Sequence, residues 1–343
     1  MKDLPAAAPA LDELLGCARV VAIPTRTRFR GVTVREAMVF DAPGGASEFS
    51  PFPEYADAEA ASWLAAAIEF GWADPRSELP PARRTSIPVN ATVPALPAEQ
   101  VTEVLARFPG CRTAKVKVAE RGQSLTDDVA RVRAVRRAMG ADARVRIDAN
   151  AGWSLGDAER ALGALAEFDL DYAEQPCATV AELAELRVRL NGAVRIAADE
   201  SVRKAEDPLA VARAGAADLL IIKAQPLGGI APALRIVQEA GLPVVVSSAL
   251  DTSAGIAMGL HLAAALPEGV LDGACGLGTA ALLDGDVTRE PLLPGFDGVD
   301  GELPVRRPRL DPELLDRYAA PPERVTWWRD RASRCLALLR PST

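Results

Sequence analysis

Histidine is almost absent from this chain of 343 residues: His261 stands alone. Lysine is nearly as scarce. Lys2, Lys115, Lys117, Lys204 and Lys223 are five of the 39 cationic side chains, and arginine supplies the other 34. The five cysteines, Cys17, Cys111, Cys177, Cys275 and Cys335, are odd in number, scattered, and form no C-x-x-C pair. That excludes a disulfide framework and a zinc site of the usual ligands, and it fits a reduced cytosolic compartment. No run of about 18 uncharged apolar residues is present to span a membrane. The opening MKDLPAAAPALDELLG is broken by Asp3, Pro5, Pro9, Asp12 and Glu13, so it lacks the apolar centre of a signal peptide. Positive charge is in deficit, with a net charge of −8, which argues against a nucleic-acid or anionic-membrane surface. These absences together lead us to expect a cytoplasmic protein that acts on a small molecule. No interface stripe is visible, so a monomer is expected.

What is present is an ordinary globular composition, 49% apolar and 25% charged. The length suits two domains or one large α/β barrel with an attachment. RVVAIP (19–24) and GVTVREAMVF (31–40) read as a strand pair joined by the loop TRTRFR. APGGASEFSPF (42–52) reads as a Gly-rich turn, and DAEAASWLAAAIEFG (57–71) carries its apolar residues at helical spacing. SELPPARR (77–84) is a proline-marked linker. From residue 85 short apolar runs alternate with amphipathic stretches: 87–93, 114–119, 144–149, 171–176, 194–200, 218–224, 243–249 and 270–275. Two helices are expected between them with caps at Thr126 and at Thr252 or Ser253. Alternating strand and helix implies parallel strands with right-handed crossovers, and eight units close into a (β/α)8-type barrel. A doubly wound open sheet would carry a Gly-rich phosphate turn after its first strand, and none is there. The expected division is a capping unit over 1–84, a barrel over 85–290, and a tail over 291–343 whose two helices, the first starting at Asp311-Pro312, return to the cap.

The polar outliers of these runs stand at their C-terminal ends. Lys115 and Lys117 end the second run, Asp148 and Asn150 the third, Glu174 the fourth, Asp199 and Glu200 the fifth, Lys223 the sixth, and Ser247 and Ser248 the seventh. From Asp148 through Glu174, Asp199 and Lys223 to Ser247 the spacings are 26, 25, 24 and 24 residues, one β/α unit per step. In a barrel those ends meet at one mouth. Three carboxylates crowded there need a counter-ion, and a hard oxygen-ligand set suits Mg²⁺. Lysines flanking such a site are expected to lower each other's pKa toward the range of a general base, which arginine cannot reach. A carboxylate substrate held between two such bases is arranged to lose an α-proton, giving an enediolate that the cation stabilises.

AKVKV (114–118), RIDAN (146–150), AEQP (173–176), ADES (198–201) and IIK (221–223) together make the chain resemble the enolase superfamily, in its muconate-lactonizing subgroup, over essentially its whole length. The resemblance implies an enolase-type barrel capped by an α+β domain that the N-terminal region and the C-terminal tail build together. It implies Lys117 and Lys223 as acid and base groups, and Asp148, Glu174 and Asp199 as ligands of Mg²⁺, for which Mn²⁺ substitutes. Within the subgroup, RFRGVTVRE, GASEFSPF, SSALDTSAG and ACGLGTA look most like the o-succinylbenzoate synthase family. That implies a hydro-lyase of menaquinone biosynthesis, dehydrating 2-succinyl-6-hydroxy-2,4-cyclohexadiene-1-carboxylate to 2-succinylbenzoate in a syn elimination. Lys117 would be the base, and Lys223 an ammonium steadying the charge that forms. The alternative is racemisation of N-acylamino acids by the same two lysines. Dipeptide epimerisation is disfavoured because ACGLGTA lacks the acidic pair that those enzymes carry, and muconate cycloisomerisation ranks third. Where many relatives place proline directly after the sixth-strand lysine, this chain has Ala224-Gln225-Pro226.

Around this set, Lys115 shares the strand face of Lys117 and is read as tuning the site or binding substrate. Asn150 and Glu200 are read as supports behind the ligands, and Ser247 and Ser248 as contacts to a substrate carboxylate or caps of the next helix. Gly276, in GLG, is read as letting backbone N–H groups approach the substrate. Arg28 and Arg30 are candidates for the succinyl carboxylate or solvated charges. His261 is read as packed or exposed, without a role in catalysis.

Overall fold

The computed structural model describes residues 3–4, 8–29, 31–74, 79–204, 207–296 and 300–341. Ala18–Phe29, Val32–Ala42 and Gly45–Phe49 form a three-stranded antiparallel sheet in that order. Two expectations are corrected here. Residues 25–29 of the expected loop are strand, with an irregular register between Pro24 and Phe29. The expected Gly-rich turn holds a third strand, because Gly45 at φ +119° reverses the chain within Ala42–Gly45 and leaves Gly45–Phe49 free to pair. Arg30 and residues 77–78 of the linker lie outside the described residues.

The sheet's inner side chains, Met38, Phe40 and Phe49, are fully buried with Trp63 and Ile68 of the helix Asp57–Trp72. The tail helix Pro322–Leu338 completes this core. Trp328 meets Phe49 edge-on at 5.6 Å between ring centroids and donates its indole N–H to Glu36 at 2.8 Å. Burial of one such ring contributes roughly 1.5–3 kcal/mol, and an edge-on pair about 0.5–1.5 kcal/mol more. The preceding tail helix, Pro312–Arg317, starts as expected, with Asp311 accepting the Leu314 N–H at 3.0 Å.

The barrel is a seven-stranded parallel sheet in sequence order: Ala91–Val93, Thr113–Lys117, Arg144–Asp148, Leu170–Glu174, Arg195–Ala198, Leu219–Ile222 and Val244–Val246. We number these one to seven. The first expected run, 87–93, divides. Ser86–Pro88 pairs antiparallel with Glu302–Pro304, and only Ala91–Val93 enters the barrel. The eighth run, 270–275, forms isolated bridges instead of a ladder, interrupted at Gly273 with φ +72°. It nonetheless lies between the first and seventh strands: Cys275 N–H donates to Pro88 at 2.7 Å, Asn90 N–H to Cys275 at 2.9 Å, and Asp272 N–H to Val244 at 2.8 Å. These bonds close the barrel.

Strand alternation then sorts the side chains. Tyr172, Ala197, Leu219, Ile221 and Val245 form a buried cluster inside the barrel. Two residues beyond Tyr172, Ala197, Ile221 and Val245, one on each of four strands, stand Glu174, Asp199, Lys223 and Ser247, so the polar ends rise from the same inward-facing rows. The outer faces pack against the helices, of which Leu125–Met139 starts at Ser124 and not at Thr126. Ser124 Oγ and the Asp127 carboxylate cap each other's backbone N–H groups, so the box sits two residues earlier than expected. Thr252 caps Ser253–Ala265, as one of the two expected alternatives. Among the described residues no helix is long and apolar enough to cross a membrane.

Candidate active site

Register brings the strand-end residues together. Lys117 stands opposite Asp148, and Asp148 opposite Glu174, in adjacent strands. Lys115, Lys117, Asp148, Glu174, Asp199 and Lys223 are all buried. Lys115 Nζ lies 3.0 Å from both oxygens of Glu174 and 3.3 Å from Asp148 Oδ2. Lys117 Nζ donates to Asp148 Oδ2 and, at 2.7 Å, to Asn150 Oδ1. Across the mouth, Lys223 Nζ donates to Asp199 Oδ2 at 2.6 Å. As the side chains stand, each carboxylate therefore turns to a lysine, and among the described residues no three acidic, histidine or cysteine side chains gather as metal ligands do.

Burial opposes every one of these charges, and the neighbours decide the outcome. At Asp148 the ammonium groups of Lys117 and Lys115 outweigh burial and hold the carboxyl well below its ordinary range. At Asp199, Arg203 and Lys223 do the same. Glu174 goes the other way: burial, reinforced by the charges of Asp148 and Asp199, pushes it up to about 8. Lys115 moves opposite to the expected depression. Burial works against its charge, but Glu174 and Asp148 prevail and hold the ammonium above its usual range.

Three contributors escaped the sequence reading. Arg203, on the short helix after strand five, donates from Nε to Asp199 Oδ1 at 3.0 Å and from a terminal nitrogen to Glu200 Oε1 at 2.6 Å. Asn150 donates to the same Glu200 oxygen at 3.3 Å. Asn150 and Glu200 thus lie beside Asp148 and Asp199. With Arg203 they complete an arc from Lys117 through Asn150, Glu200, Arg203 and Asp199 to Lys223. The spacing of Arg203, four residues after Asp199 in ADESVR, is the signal that was available. Arg131, on the helix after strand two, fixes the Lys117 carbonyl at 2.8 Å and that of Leu96 at 2.7 Å. Glu48, in the third cap strand, accepts the backbone N–H groups of Thr252 and Gly255, each at 3.1 Å. GASEFSPF and SSALDTSAG are therefore two halves of one buried contact.

The remaining expectations meet specific geometry. Ser248 Oγ donates to the Gly276 carbonyl at 2.7 Å, and Ser247 Oγ lies 3.4 Å from the same oxygen. With Lys223 these serines border a gap of only about 10 Å³, enough for one water and too small for substrate. The Gly276 N–H donates to Val246 at 2.8 Å, so it ties the barrel shut and does not face a ligand, which corrects that reading. The glycine itself is required, since a Cβ there would lie 2.4 Å from Ser247 Oγ. Ala224–Leu227 forms a single helical turn after Lys223, burying the Gln225 amide with neither atom hydrogen-bonded. His261 Nδ1 lies 2.8 Å from the Ala257 carbonyl and its ring meets Phe70 edge-on, so it is packed. A chamber of about 380 Å³ opens on Lys117, bordered by Arg28, Phe29, Glu120, Arg121 and Gln123.

Comparison with known proteins shows the family and the fold. Residues 98–295 match the family described as enolase C-terminal domain-like, and residues 20–71 the enolase N-terminal domain-like family. The o-succinylbenzoate synthase of Mycobacterium tuberculosis is 56% identical over 335 residues, covering 97% of this chain and 98% of the relative. That of Mycobacterium leprae is 55% identical, covering 97% and 95%. Among solved structures, 2-chloromuconate cycloisomerase from Rhodococcus opacus superposes with a TM-score of 0.72 at 25% identity, covering 89% of this chain and 98% of that one. The L-Ala-D/L-Glu epimerase of Bacillus subtilis reaches 0.72 at 20% identity, over 90% and 98%, and shares the fold. With near-complete coverage at more than half identity, and both enolase-like domains matched, the chain belongs to the o-succinylbenzoate synthase family of the enolase superfamily.

Proposed function

We propose that this chain removes water from 2-succinyl-6-hydroxy-2,4-cyclohexadiene-1-carboxylate to give 2-succinylbenzoate, with Lys117 as base. The observation that carries this is the placement of Lys117 and Lys223 on strands two and six, four apart in an eight-segment ring. They face each other across three buried carboxylates. Lys117, as the free amine, takes the proton α to the substrate carboxylate. The C–H electron pair enters the ring, the C–O bond at the neighbouring carbon breaks, and the resulting ammonium returns its proton to the departing hydroxide. One lysine serving both events requires both groups to leave from one face, hence a syn elimination. Formation of an aromatic ring drives the second event. Lys223 stays an ammonium and offsets the negative charge that develops on the substrate carboxylate.

Asp148, Glu174 and Asp199 suit a hard divalent cation by donor chemistry, all oxygen and all buried. Burial first, and then the charges of Asp148 and Asp199, push Glu174 up, and a divalent cation would offset the repulsive part of that push. A Mg²⁺ ion held there would supply a Lewis acid for the same developing charge. To admit it, the lysines must release the carboxylates that they now hold. The chain's own contribution is to keep those lysines close: Arg131 fixes the backbone of Lys117, and Asn150 receives its ammonium. Lys115, bound to Glu174, orients that carboxylate.

The test is an ultraviolet assay of the purified protein with the cyclohexadiene substrate and Mg²⁺, beside Lys117→Ala and an EDTA-treated sample. Metal-dependent loss of the diene signal that the variant abolishes supports the reading. No turnover, with α-proton exchange into N-succinylamino acids in D₂O, would overturn it in favour of racemisation.

A further inference from the structure

The chamber beside Lys117 is lined by more cationic than acidic side chains. The chain carries a net charge of −8, yet this space of about 380 Å³ is bordered by Lys117, Arg28 and Arg121 against a single carboxylate, Glu120. Its volume is that of a small-molecule site. Arg28 comes from the cap and Arg121 from the loop after barrel strand two. Among the described residues neither has a hydrogen-bond or ion-pair partner, whereas Arg131, Arg146, Arg195 and Arg203 are each held by carboxylates. Phe29 forms an apolar wall, with Lys117 Nζ 5.4 Å from its ring centroid.

Arg121 is also displayed on a fixed support. The Gln123 N–H donates to the Glu120 carbonyl at 3.0 Å, and Gly122 at φ +88° takes the left-handed third position of this turn. The Gln123 amide donates to the Ala95 carbonyl at 3.0 Å and accepts from Arg131. Arg131 is the same side chain that fixes the Lys117 carbonyl, so the turn bearing Arg121 and the strand end bearing Lys117 share one anchor.

We infer that Arg121 is the specificity-determining residue for a second, distal carboxylate of the substrate, with Arg28 the supporting cation from the cap side. This rests on the proposed dehydration, whose substrate carries such a group on its succinyl arm. The ring carboxylate belongs with the three acids and Lys117, and the arm reaches past Phe29 into the chamber. A planar guanidinium takes a carboxylate through two parallel N–H···O bonds, which a neutral isostere of the arm cannot accept equally.

The experiment compares the succinyl substrate with its distal monoamide, in the wild type, Arg121→Ala, Arg121→Lys and Arg28→Ala. The wild type is expected to prefer the acid by at least about tenfold in kcat/KM, equivalent to ~1.4 kcal/mol. Arg121→Ala should raise KM for the acid by about tenfold, leave kcat within about twofold, and erase the preference. Arg121→Lys should restore part of it. Calorimetric binding of 2-succinylbenzoate and its monoamide, which needs no turnover, should show the same loss of discrimination. An acid preference that survives Arg121→Ala in both measurements overturns the inference, as does a preference erased by Arg28→Ala alone. A wild type that binds with discrimination but does not dehydrate would sink the functional reading and leave Arg121 assigned to a dicarboxylate.

Discussion

Arg203 and Asp199 form a buried pair in which each partner has a second task. Asp199 gives one oxygen to Arg203 at 3.0 Å and the other to Lys223 at 2.6 Å, while Arg203 also holds Glu200 and lies 3.3 Å from the Tyr55 hydroxyl of the cap. The guanidinium thus fixes the acid that faces the sixth-strand lysine. Removing it leaves the buried Asp199 and the half-buried Glu200 with fewer donors, and outer partners of metal ligands are commonly worth 10–100-fold in affinity or activity. Arg203→Ala should lower Mg²⁺ affinity by about that factor, read by calorimetry. Tyr55→Phe, which loses only the long contact, should change it less than about twofold.

Glu48 makes a corresponding cross-domain contact at the other side of the mouth. Its Oε2 accepts from Thr252 N, Thr252 Oγ and Gly255 N, and its Oε1 from Ser50 Oγ at 2.5 Å. Arg35 lies 3.8 Å from Asp251 and donates to the Leu250 carbonyl at 3.0 Å, holding Leu250 in the left-handed region at φ +63°. Glu48→Ala should cost about 3 kcal/mol, measured by denaturant unfolding, because it leaves the buried Thr252 and Gly255 N–H groups and the Ser50 and Thr252 hydroxyls without their acceptor.

The same carboxyl sets a pH dependence. Burial, then the charge of Asp251, pushes Glu48 up to about 7. A carboxyl whose folded value is raised binds more protons folded than unfolded, so its contribution is full below the ordinary range near 4.5. That contribution is lost as pH rises through 7. Between pH 5 and 8 the wild type should lose on the order of 2 kcal/mol relative to Glu48→Gln, whose profile should be flatter. Parallel profiles for the two proteins would contradict this.

Gly229 and Glu69 lock the helix of the cap onto the segment after strand six. Glu69 accepts the N–H groups of Ile230 and Ala231 at 2.5 and 3.0 Å. A Cβ on Gly229, which sits at φ +130°, would lie 2.1 Å from Glu69 Oε2. Gly229→Ala should destabilise by about 2–3 kcal/mol through strain and overlap together. In a Glu69→Ala background the cost should shrink, since only the strain remains, and equal costs in both backgrounds would refute the contact.

His261 is packed against Phe70, and burial lowers its pKa. His261→Asn should lower the melting temperature slightly and leave the pH–rate profile unchanged. A displaced limb of that profile would mean that the two-lysine assignment is incomplete.

The chemistry of the mouth was legible because it obeys two periodicities at once. One β/α unit places a polar residue every 24 to 26 positions, and strand alternation points Lys115 and Lys117, or Tyr172 and Glu174, the same way. Arg203 escaped notice because an arginine near a helix start looks like solvated charge until its partner is known. Glu48 escaped for a stronger reason: it lies 204 residues from Thr252, and no local pattern links them.

What the sequence determined by itself was the order of strands, the face each side chain takes, and therefore which residues end at the mouth. These follow from backbone geometry within a few residues of each position. Tertiary structure decided the rest. It broke the eighth segment into bridges at Gly273, turned the Gly276 N–H into a barrel closure, and set Glu174 above its ordinary pKa while holding Asp148 and Asp199 below theirs. Each of those outcomes depends on which distant donor or charge arrives within a few ångströms in a dry interior, and burial gives such neighbours their strength.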